Sequence, residues 1–513
     1  VMLLYSMVYT AMIHGIDSRP VEVETDVSDG MPVFEMVGYL SSEVREARDR
    51  VRTALKNCGY RLPVKRITVN LSPANIRKSG SGFDLPVAIS LLAAMGEVPK
   101  EPLGEVMLAG ELSLDGKVNG VPGVLPMALA ARDFGMKYMI LPKENRREGE
   151  LVPGITTVAV SCIREAVAFL TEGKLPPESP GDTQVLSEEP ATYDFSDISG
   201  QKILKRACET AVSGMHNLLM IGPPGAGKTM IARAIPSILP PMTEEEQMEL
   251  SRIYSVCGKF GERGRLLSRR PFRSPHHTIT AAGMTGGGSL PVPGEISLAN
   301  KGVLFLDELT EFKKPVIETL RQPLEDRRVQ ISRSSGTFTF PADFVLVAAM
   351  NPCDCGYYPD MERCRCTDAA IARYRSRLSQ PMLDRMDLCV EAPAVGYREL
   401  TAGGKSESSV KIRERVMRVH QIQRERFSGT DIGFNSRIPA REMETYCPLG
   451  TKEKKYMEQI YDRLELTARS YHKLLRVART LADMAGQERI GLLQLQEAVC
   501  YRGLDKKYWE KNL

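Results

Sequence analysis

The chain has 513 residues and a net charge of +4, and at about 150 residues per domain this length corresponds to roughly three domains. Hydrophobic residues make up 42% of the chain and charged residues 26%, a composition that excludes disordered, collagen-like and low-complexity proteins. No run of about 18 apolar residues occurs, so we expect no transmembrane helix. Most of the eleven cysteines are scattered singly, which is typical of a reducing compartment, and we expect a cytoplasmic protein.

The first part of the chain alternates strand and helix patterns. Residues 1–13 predict a first strand, because they lack the basic flank and the cleavage site of a signal peptide. The expected strands also include residues 33–37, 67–71 and 106–112, and the expected helices cover residues 42–56, 85–95 and 125–134. These patterns predict a mixed α/β domain over residues 1–175.

A proline-rich segment then divides the chain. Four prolines without a periodic apolar pattern predict a linker over residues 176–192. Residues 1–189 hold 20 Lys and Arg against 25 Asp and Glu, whereas the remainder holds 48 against 39. A polyanionic partner is therefore expected to bind the second part of the chain.

Two further domains are expected after the linker. Residues 193–400 alternate apolar strand runs with helical patterns and predict an α/β core. A Gly- and Ser-rich break follows, and residues 401–513 are charged and helical in pattern. They predict a helical lid domain.

A phosphate-loop motif follows the apolar run at residues 218–221. Its residues are Gly222, Pro223, Pro224, Gly225, Ala226, Gly227, Lys228 and Thr229. The glycines let successive backbone N–H groups point at phosphate oxygens, and the next helix adds its positive end. Lys228 is expected to reach the β and γ phosphates of ATP, and the Thr229 hydroxyl to bind Mg²⁺. A plain glycine-rich turn is the alternative, but the full motif in its strand–loop–helix context favours the nucleotide site.

Two acids end a second apolar run, at residues 302–308. A parallel strand delivers such residues to the ligand edge of its sheet. Asp307 is expected to hold Mg²⁺, and Glu308 to polarise the attacking water. Two acids can also simply end a strand, so this run indicates ATP hydrolysis only together with the phosphate loop.

A third apolar run, residues 343–350, ends at Asn351. An uncharged amide at this edge can orient the hydrolytic water beside the γ phosphate. A polar turn residue before Pro352 is an equally good explanation of Asn351 by itself.

These three elements, in this order, resemble the AAA+ ATPases. Residues 379–387 resemble the arginine-finger segment of the magnesium-chelatase and MCM-helicase branch, which places the finger on Arg385. Residues 466–479 resemble the sensor 2 helix of that branch, with Arg469 as the sensor and Arg476 as the second choice. A finger acts on a neighbouring subunit, so the resemblance implies a ring, expected to be a hexamer. Either arginine could instead be a solvated surface charge.

Two segments resemble insertions of the same branch. Residues 273–294 look like the helix-2 insertion, and residues 327–340 match the pre-sensor-1 hairpin, with a turn at 334–336. In related helicases this hairpin projects into the channel of the ring. The candidates for contact with the DNA backbone are Arg327, Arg328, Arg333, His276 and His277. The alternative for the arginines is pairing with nearby acids such as Glu325 and Asp326.

A cysteine cluster lies between Asn351 and the finger segment. Cys353, Cys355, Cys364 and Cys366 form two C-x-C pairs around an eight-residue loop. Four thiolates can close a tetrahedral Zn²⁺ site in a loop that lacks its own core. Reduced or redox-active thiols are the alternative.

With its N-terminal domain included, the chain resembles the magnesium-chelatase-like AAA+ proteins of the YifB/ComM family, whose ComM members are branch-migration helicases. The motifs that carry the resemblance include Lys78-Ser-Gly-Ser-Gly and Gly30-Met-Pro-Val-Phe. The resemblance implies a Lon-protease-like (S5-like) α+β N-terminal domain. A Lon-type site needs a Ser nucleophile and a Lys base, but those positions fall at Gly82 and near Leu125. We therefore expect a binding or assembly module without proteolytic activity.

Two functions are consistent with these patterns. The first is a ring-forming, Mg²⁺- and ATP-dependent translocase or helicase that acts on branched or single-stranded DNA without sequence preference, as in recombination or natural transformation. The second is a motor that remodels a protein partner, as the chelatase motor subunit does. The fused N-terminal domain favours the first function.

Overall fold

The computed structural model describes residues 4–176, 193–261, 264–334, 336–394, 396 and 406–502. The strands of the N-terminal domain are β1 (Tyr5–His14), β2 (Asp17–Ser28), β3 (Val33–Val37), β4 (Arg66–Ser72), β5 (Val106–Leu108), β6 (Glu111–Leu112), β7 (Val118–Asn119), β8 (Tyr138–Pro142) and β9 (Thr156–Val160). Its helices are α1 (Ser42–Asn57), α2 (Asp84–Ala94), α3 (Val124–Asp133), α4 (Arg146–Gly149) and α5 (Ile163–Glu172).

Seven of these strands form one mixed sheet in the order β3-β4-β2-β1-β5-β8-β9. β1 and β2 pair antiparallel along their whole length, from Tyr5 opposite Asp26 to His14 opposite Asp17. Helix α2 is buried on all sides, so the centre of this domain is a helix sandwiched against the sheet. The first strand and the three helices that the sequence predicts are therefore present.

The expected strand over residues 106–112 is instead two short strands, β5 and β6. Gly110 separates them because the chain is crowded there. A Cβ at this glycine would lie 2.7 Å from Val118 Cγ1 and 3.3 Å from Leu85 Cδ2. The pattern of apolar residues contains no sign of this close approach. The sequence therefore predicted one continuous strand where the structure has two.

The second domain begins after the predicted linker, which lies outside the described residues except at residue 176. Its strands are β10 (Leu218–Ile221), β11 (Phe272–Arg273), β12 (Gly286–Gly287), β13 (Val292–Pro293), β14 (Val303–Leu306), β15 (Arg328–Arg333), β16 (Gly336–Pro341), β17 (Val345–Met350) and β18 (Leu388–Glu391). Its helices are α6 (Lys202–Gly214), α7 (Lys228–Ala234), α8 (Glu244–Val256), α9 (Ala281–Thr285), α10 (Glu295–Leu298), α11 (Lys314–Glu318), α12 (Arg321–Asp326), α13 (Asp368–Arg375) and α14 (Gln380–Leu383).

Five strands of this domain form a parallel sheet in the order β11-β14-β17-β10-β18. All residues of β10, β14 and β17 are buried, as expected for central parallel strands covered on both faces. The carboxyl ends of these three strands lie side by side, and loops that follow them meet at one edge.

Two excursions leave this sheet. The first runs from α8 to α10 and contains the small β12–β13 hairpin. Helix α8 begins at a capping box, in which the Thr243 hydroxyl accepts from the Glu246 N–H and the Glu246 carboxylate accepts from the Thr243 N–H, both at 3.2 Å. The second excursion is the antiparallel hairpin β15–β16, in which Val329 and Ile331 are buried and the residues between them are exposed.

The N-terminal domain packs against both excursions. The buried Glu148 carboxylate accepts from the Leu125 N–H at 3.0 Å and from the Ser255 hydroxyl of α8. At the other contact, the His14 ring lies 4.8 Å from the Phe338 ring of the hairpin. The N-terminal domain therefore contacts the second domain at both excursions from the parallel sheet.

The C-terminal domain is helical. It contains α15 (Ser409–Arg426), α16 (Met443–Tyr446), α17 (Thr451–Arg463), α18 (Ala468–Met484) and α19 (Leu492–Cys500). Its apolar side chains join the core of the parallel sheet through α6. Within the residues described, none of the helices has the length and hydropathy needed to cross a bilayer.

Candidate active site

The phosphate loop leaves the end of β10 and enters α7. Gly225 and Gly227 have φ angles of +78° and +80°, which glycine adopts without steric cost. A Cβ at either position would meet nothing within 4 Å, so the face of the loop is open. The loop therefore presents its backbone to a space that phosphates can occupy.

Lys228 is held at the centre of this loop. Its Nζ donates to the Gly222 carbonyl at 2.6 Å, to the Pro223 carbonyl at 2.9 Å and to Asn351 Oδ1 at 3.2 Å. Burial lowers the pKa of Lys228 to about 8, although the nearby Asp307 and Glu308 oppose the shift. A buried ammonium that relies on neutral carbonyls fits an anionic ligand, because phosphate oxygens would stabilise its charged form.

The two predicted Mg²⁺ ligands lie next to each other. Thr229 Oγ1 donates to Asp307 Oδ2 at 2.7 Å, although the residues are far apart in sequence. A hydroxyl and a carboxylate are hard oxygen ligands of the kind that Mg²⁺ takes beside phosphates. The donor set therefore fits Mg²⁺ bound with ATP.

Glu308 has a strained backbone. Its φ of +51° lies in the left-handed region, and its N–H donates to Asp307 Oδ1 at 3.0 Å. The side chain is 61% exposed, so its carboxylate faces the open site. Strain of this kind at a non-glycine residue is typical of functional positions.

The two histidines of the first excursion lie at this site. His277 Nδ1 is 3.7 Å from Glu308 Oε2, and the His276 and His277 rings are 4.1 Å apart. The sequence assigned both to DNA. The structure places His277 beside Glu308.

Arg385 and Arg469 meet at a different place. Arg385 Nη2 contacts Glu325 Oε1 at 2.6 Å, and Arg469 Nη2 contacts the same oxygen at 3.4 Å. They line a cavity of about 530 Å³, which we call the arginine cavity. It is lined by residues that include Arg327, Asp343, Arg437, Lys473 and Arg476, and by none of the phosphate-loop residues that the structure describes.

Arg469 and Arg476 differ in their freedom. The Arg469 side chain is 57% exposed, whereas Arg476 is partly buried and its Nε donates to the Ile438 carbonyl at 2.8 Å. Burial also lowers the pKa of Arg476. Of the two arginines, Arg469 is the more accessible to a ligand.

The three hairpin arginines occupy two environments. Arg328 and Arg333 are exposed, and Arg333 Nε donates to the Gly288 carbonyl of the β12–β13 hairpin at 3.4 Å. Arg327 instead turns into the arginine cavity, 3.9 Å from Asp343. Burial and the neighbouring Arg437 lower the pKa of Arg327 to about 10. Of the three, Arg328 and Arg333 are the ones on an accessible surface.

The four clustered cysteines come together beyond Asn351. The Sγ atoms of Cys353, Cys355, Cys364 and Cys366 all lie within 4.8 Å of one another. The sequence predicted this gathering from spacing alone.

Two residues of these sites were missed by the sequence analysis as functional candidates. Glu325 was considered only as a partner of hairpin arginines, yet it joins Arg385 and Arg469. Asp343 accepts from Lys301 Nζ at 3.1 Å and pairs with Arg437. The contacts of Glu325 and Asp343 join residues that are far apart in sequence, so no local motif marks them. The one feature of the sequence that could have indicated Glu325 was the run of charged residues just before the hairpin.

The parallel sheet, the phosphate loop at the end of β10 and the acids at the end of β14 define a P-loop protein of the AAA+ class. Three family profiles match the chain. "Magnesium chelatase, subunit ChlI" matches residues 194–400, "Subunit ChlI of Mg-chelatase" matches residues 23–145, and "Magnesium chelatase, subunit ChlI C-terminal" matches residues 406–502.

Several relatives match nearly from end to end. The "Uncharacterized protein YifB" of Salmonella typhimurium is 41% identical over 98% of this chain and 97% of its own length. The "Competence protein ComM" of Haemophilus influenzae is 41% identical over 97% of both chains. The chain belongs to the YifB/ComM family of magnesium-chelatase-like AAA+ proteins.

A partial similarity concerns Lon. "Lon protease 2" of Bacillus subtilis is 31% identical over 155 residues, which cover 29% of this chain and 28% of that protein. This agrees with a Lon-like N-terminal domain. In this chain the position of the Lon nucleophile falls at Gly82, which has no side chain. The position of the Lon base falls near Leu125, which is fully buried and apolar.

Proposed function

We propose that the protein is a ring-forming ATPase that translocates on DNA and that acts in branch migration during recombination or natural transformation. The observation that carries this proposal is the path from the arginine cavity to the hairpin. Glu325, which holds Arg385 and Arg469, lies three residues before β15, and Arg327 between them also lines the cavity. An event at the cavity therefore acts on the base of a hairpin that exposes Arg328 and Arg333.

The nucleotide site supplies the first half of the mechanism. When bound, Mg²⁺ with ATP brings a polarised γ phosphate to the loop. Lys228 would neutralise phosphate charge, Thr229 and Asp307 would hold the metal, and Glu308 would accept a proton from the attacking water. Asn351, which already contacts Lys228, orients that water.

The arginine cavity supplies the second half. Because Arg385 and Arg469 lie in a cavity that shares no residue with the phosphate loop, we assign them to the nucleotide of a neighbouring subunit. A guanidinium there neutralises charge that develops on the γ phosphate. Completion of the site then requires a ring, for which we propose six subunits.

The DNA contact is proposed for the exposed side of the hairpin. Arginines contact phosphates without reading bases, so the binding should be independent of sequence and sensitive to salt. The excess of basic residues after the linker supports a polyanionic partner. The relative named as a competence protein supports a role in the uptake or recombination of DNA, and we propose a cytoplasmic location.

The decisive experiment measures ATP hydrolysis with and without single-stranded and branched DNA. In the Arg328→Ala/Arg333→Ala variant, DNA stimulation should be lost and basal hydrolysis retained. The slope of log affinity against log salt should become shallower by about one for each phosphate contact removed. Arg441→Ala is the matched control, since Arg441 is 84% exposed and lies in the C-terminal domain.

A motor that remodels a protein is the second candidate, and the match to the magnesium chelatase profile over residues 194–400 favours it. The same assay separates the two. Robust hydrolysis with no response to any DNA would reject the translocase and support a protein client.

A further inference from the structure

The loop that follows Asn351 has almost no core of its own. Its buried cluster consists of Cys353, Cys364 and Ile371, with two tyrosines and the other two cysteines around them. Cys353 is fully buried. Loops this small usually need a cross-link or a metal to hold one conformation.

The sulfur positions fit one tetrahedral ion. The Sγ atom of Cys353 lies 3.3 Å from that of Cys355 and 3.8 Å from that of Cys364, and Cys355 lies 3.6 Å from Cys364. A Zn–S bond of about 2.3 Å gives a tetrahedron with edges of about 3.8 Å. These three distances are close to those of a zinc–thiolate site, and the Cys366 Sγ atom lies within 4.8 Å of the other three.

Other sulfur chemistry fits less well. All four cysteines are free, and their separations far exceed the S–S bond of about 2.05 Å. An iron–sulfur cluster would place several irons and sulfides between the thiolates and push them further apart. Four thiolates around a single tetrahedral ion are typical of structural zinc.

The cysteine loop also packs closely against the phosphate loop. Gly356 lies so close to the phosphate loop that a Cβ there would be 2.5 Å from Pro224 Cδ. Its φ of +84° also favours glycine. Asn351, two residues before Cys353, accepts from Lys228. The position of the cysteine loop therefore bears on both Lys228 and the phosphate loop.

We propose that Cys353, Cys355, Cys364 and Cys366 bind one structural Zn²⁺ ion, and that this ion braces the phosphate loop through Gly356 and Asn351. Each thiol loses its proton on binding, and no oxidation is involved. The bracing half of the proposal rests on the proposed nucleotide site, whereas the zinc half does not.

The zinc half is tested on the full-length wild-type protein without nucleotide or DNA. Elemental analysis should find about one zinc per chain, and the four thiols should resist modification until a chelator removes the metal. Cobalt exchanged into the protein should give the intense visible bands of tetrahedral thiolate coordination. A protein without metal whose four thiols react freely, or one that contains iron and sulfide, would overturn the zinc site.

A pair of double variants supplies the matched control. Cys355→Ser/Cys366→Ser removes two half-buried ligands and should lose more than about nine-tenths of the zinc. Cys162→Ser/Cys257→Ser removes two half-buried cysteines elsewhere and should keep it. Equal zinc contents in the two would count against the assignment of ligands. The cobalt spectrum of the wild type decides the matter if the first variant does not fold.

The proposed effect of zinc on the phosphate loop is tested by measuring the affinity of the protein for a fluorescent ADP analogue. Folded, zinc-depleted protein should bind it about tenfold more weakly or worse, because small displacements in a site are costly. Unchanged affinity after zinc loss would refute the bracing role and leave the metal site standing. Full zinc content with no nucleotide binding in the wild type would instead refute the proposed nucleotide site.

Discussion

The phosphate site and the arginine cavity are built in opposite ways. At the phosphate site, Lys228 contacts Asn351 and Thr229 contacts Asp307, all within one chain. In the cavity, Arg385 and Arg469 converge on Glu325, a side chain that carries no part of the hydrolytic chemistry. The residues of the phosphate site are already arranged for a ligand. The two arginines of the cavity are instead paired with the Glu325 carboxylate, which takes the place of a phosphate.

This difference indicates that ATP hydrolysis would be controlled at the arginine cavity. Under the proposed function, each subunit would bind nucleotide at its preassembled site, and hydrolysis would require arginines from another subunit. Those arginines are held by a carboxylate, and they must leave it to reach a phosphate. The proposed function would therefore couple subunit contact and ATP hydrolysis to the release of both arginines from Glu325.

The strongest test of the comparison is subunit mixing. Arg385→Ala should lower ATP turnover by about 10³-fold or more, with ATP binding retained. Lys228→Ala rings should also be inactive. Mixing the two should restore part of the turnover, because one variant contributes an intact phosphate site and the other an intact arginine. Co-assembled mixed rings that stay inactive at every ratio would show that the two sites do not cooperate across subunits.

A second test separates binding from chemistry within the phosphate site. Lys228→Ala and Glu308→Gln should each lower turnover by about 10²- to 10³-fold, since each removes stabilisation of the transition state. Only Lys228→Ala should also weaken nucleotide binding, as measured by titration with a fluorescent analogue. Lys202→Ala and Glu245→Gln, at exposed positions of the same domain, are the controls. Normal hydrolysis in either site variant would refute the assignment.

The buried ammonium predicts a pH dependence. Since the pKa of Lys228 is about 8 in the free protein, the residue is charged below that pH and neutral above it. Bound phosphate favours the charged form, so ATP affinity should be constant at lower pH and should fall as pH rises through about 8. Between about pH 8 and pH 9 the loss should be about fivefold. A flat affinity profile in calorimetric titrations would contradict this environment for Lys228.

The smallest expected effect concerns Glu325. Glu325→Gln should release Arg385 and Arg469 and raise ATP turnover about two- to fivefold, the range that a half-exposed ion pair supports. Glu311→Gln is the matched control, because Glu311 pairs with Arg377 at 2.6 Å in the same domain. A fall in turnover comparable to that of Arg385→Ala would show that Glu325 positions the finger for catalysis.

The phosphate site could be foreseen because each part is a local motif at the end of a buried strand, and parallel strands bring their ends together. The contact of Thr229 with Asp307 follows from that rule. The cavity could not be foreseen as a unit. Glu325 has no motif, and its distance to Arg469 depends on how the C-terminal helices pack against the sheet. The same limit explains His277, whose place beside Glu308 results from the path of an irregular excursion.

The contact between His14 and Phe338 attaches the N-terminal domain to the β15–β16 hairpin. An aromatic pair of this kind contributes about 0.5–1.5 kcal/mol, and it is reinforced nearby by the pairing of Asp17 with Arg252 of α8. Phe338 pairs with Ile331 in the middle of the hairpin, so this contact joins the body of the hairpin to the seven-stranded sheet of the N-terminal domain. Under the proposed function, a movement of the hairpin would either carry that sheet with it or break the contact between His14 and Phe338.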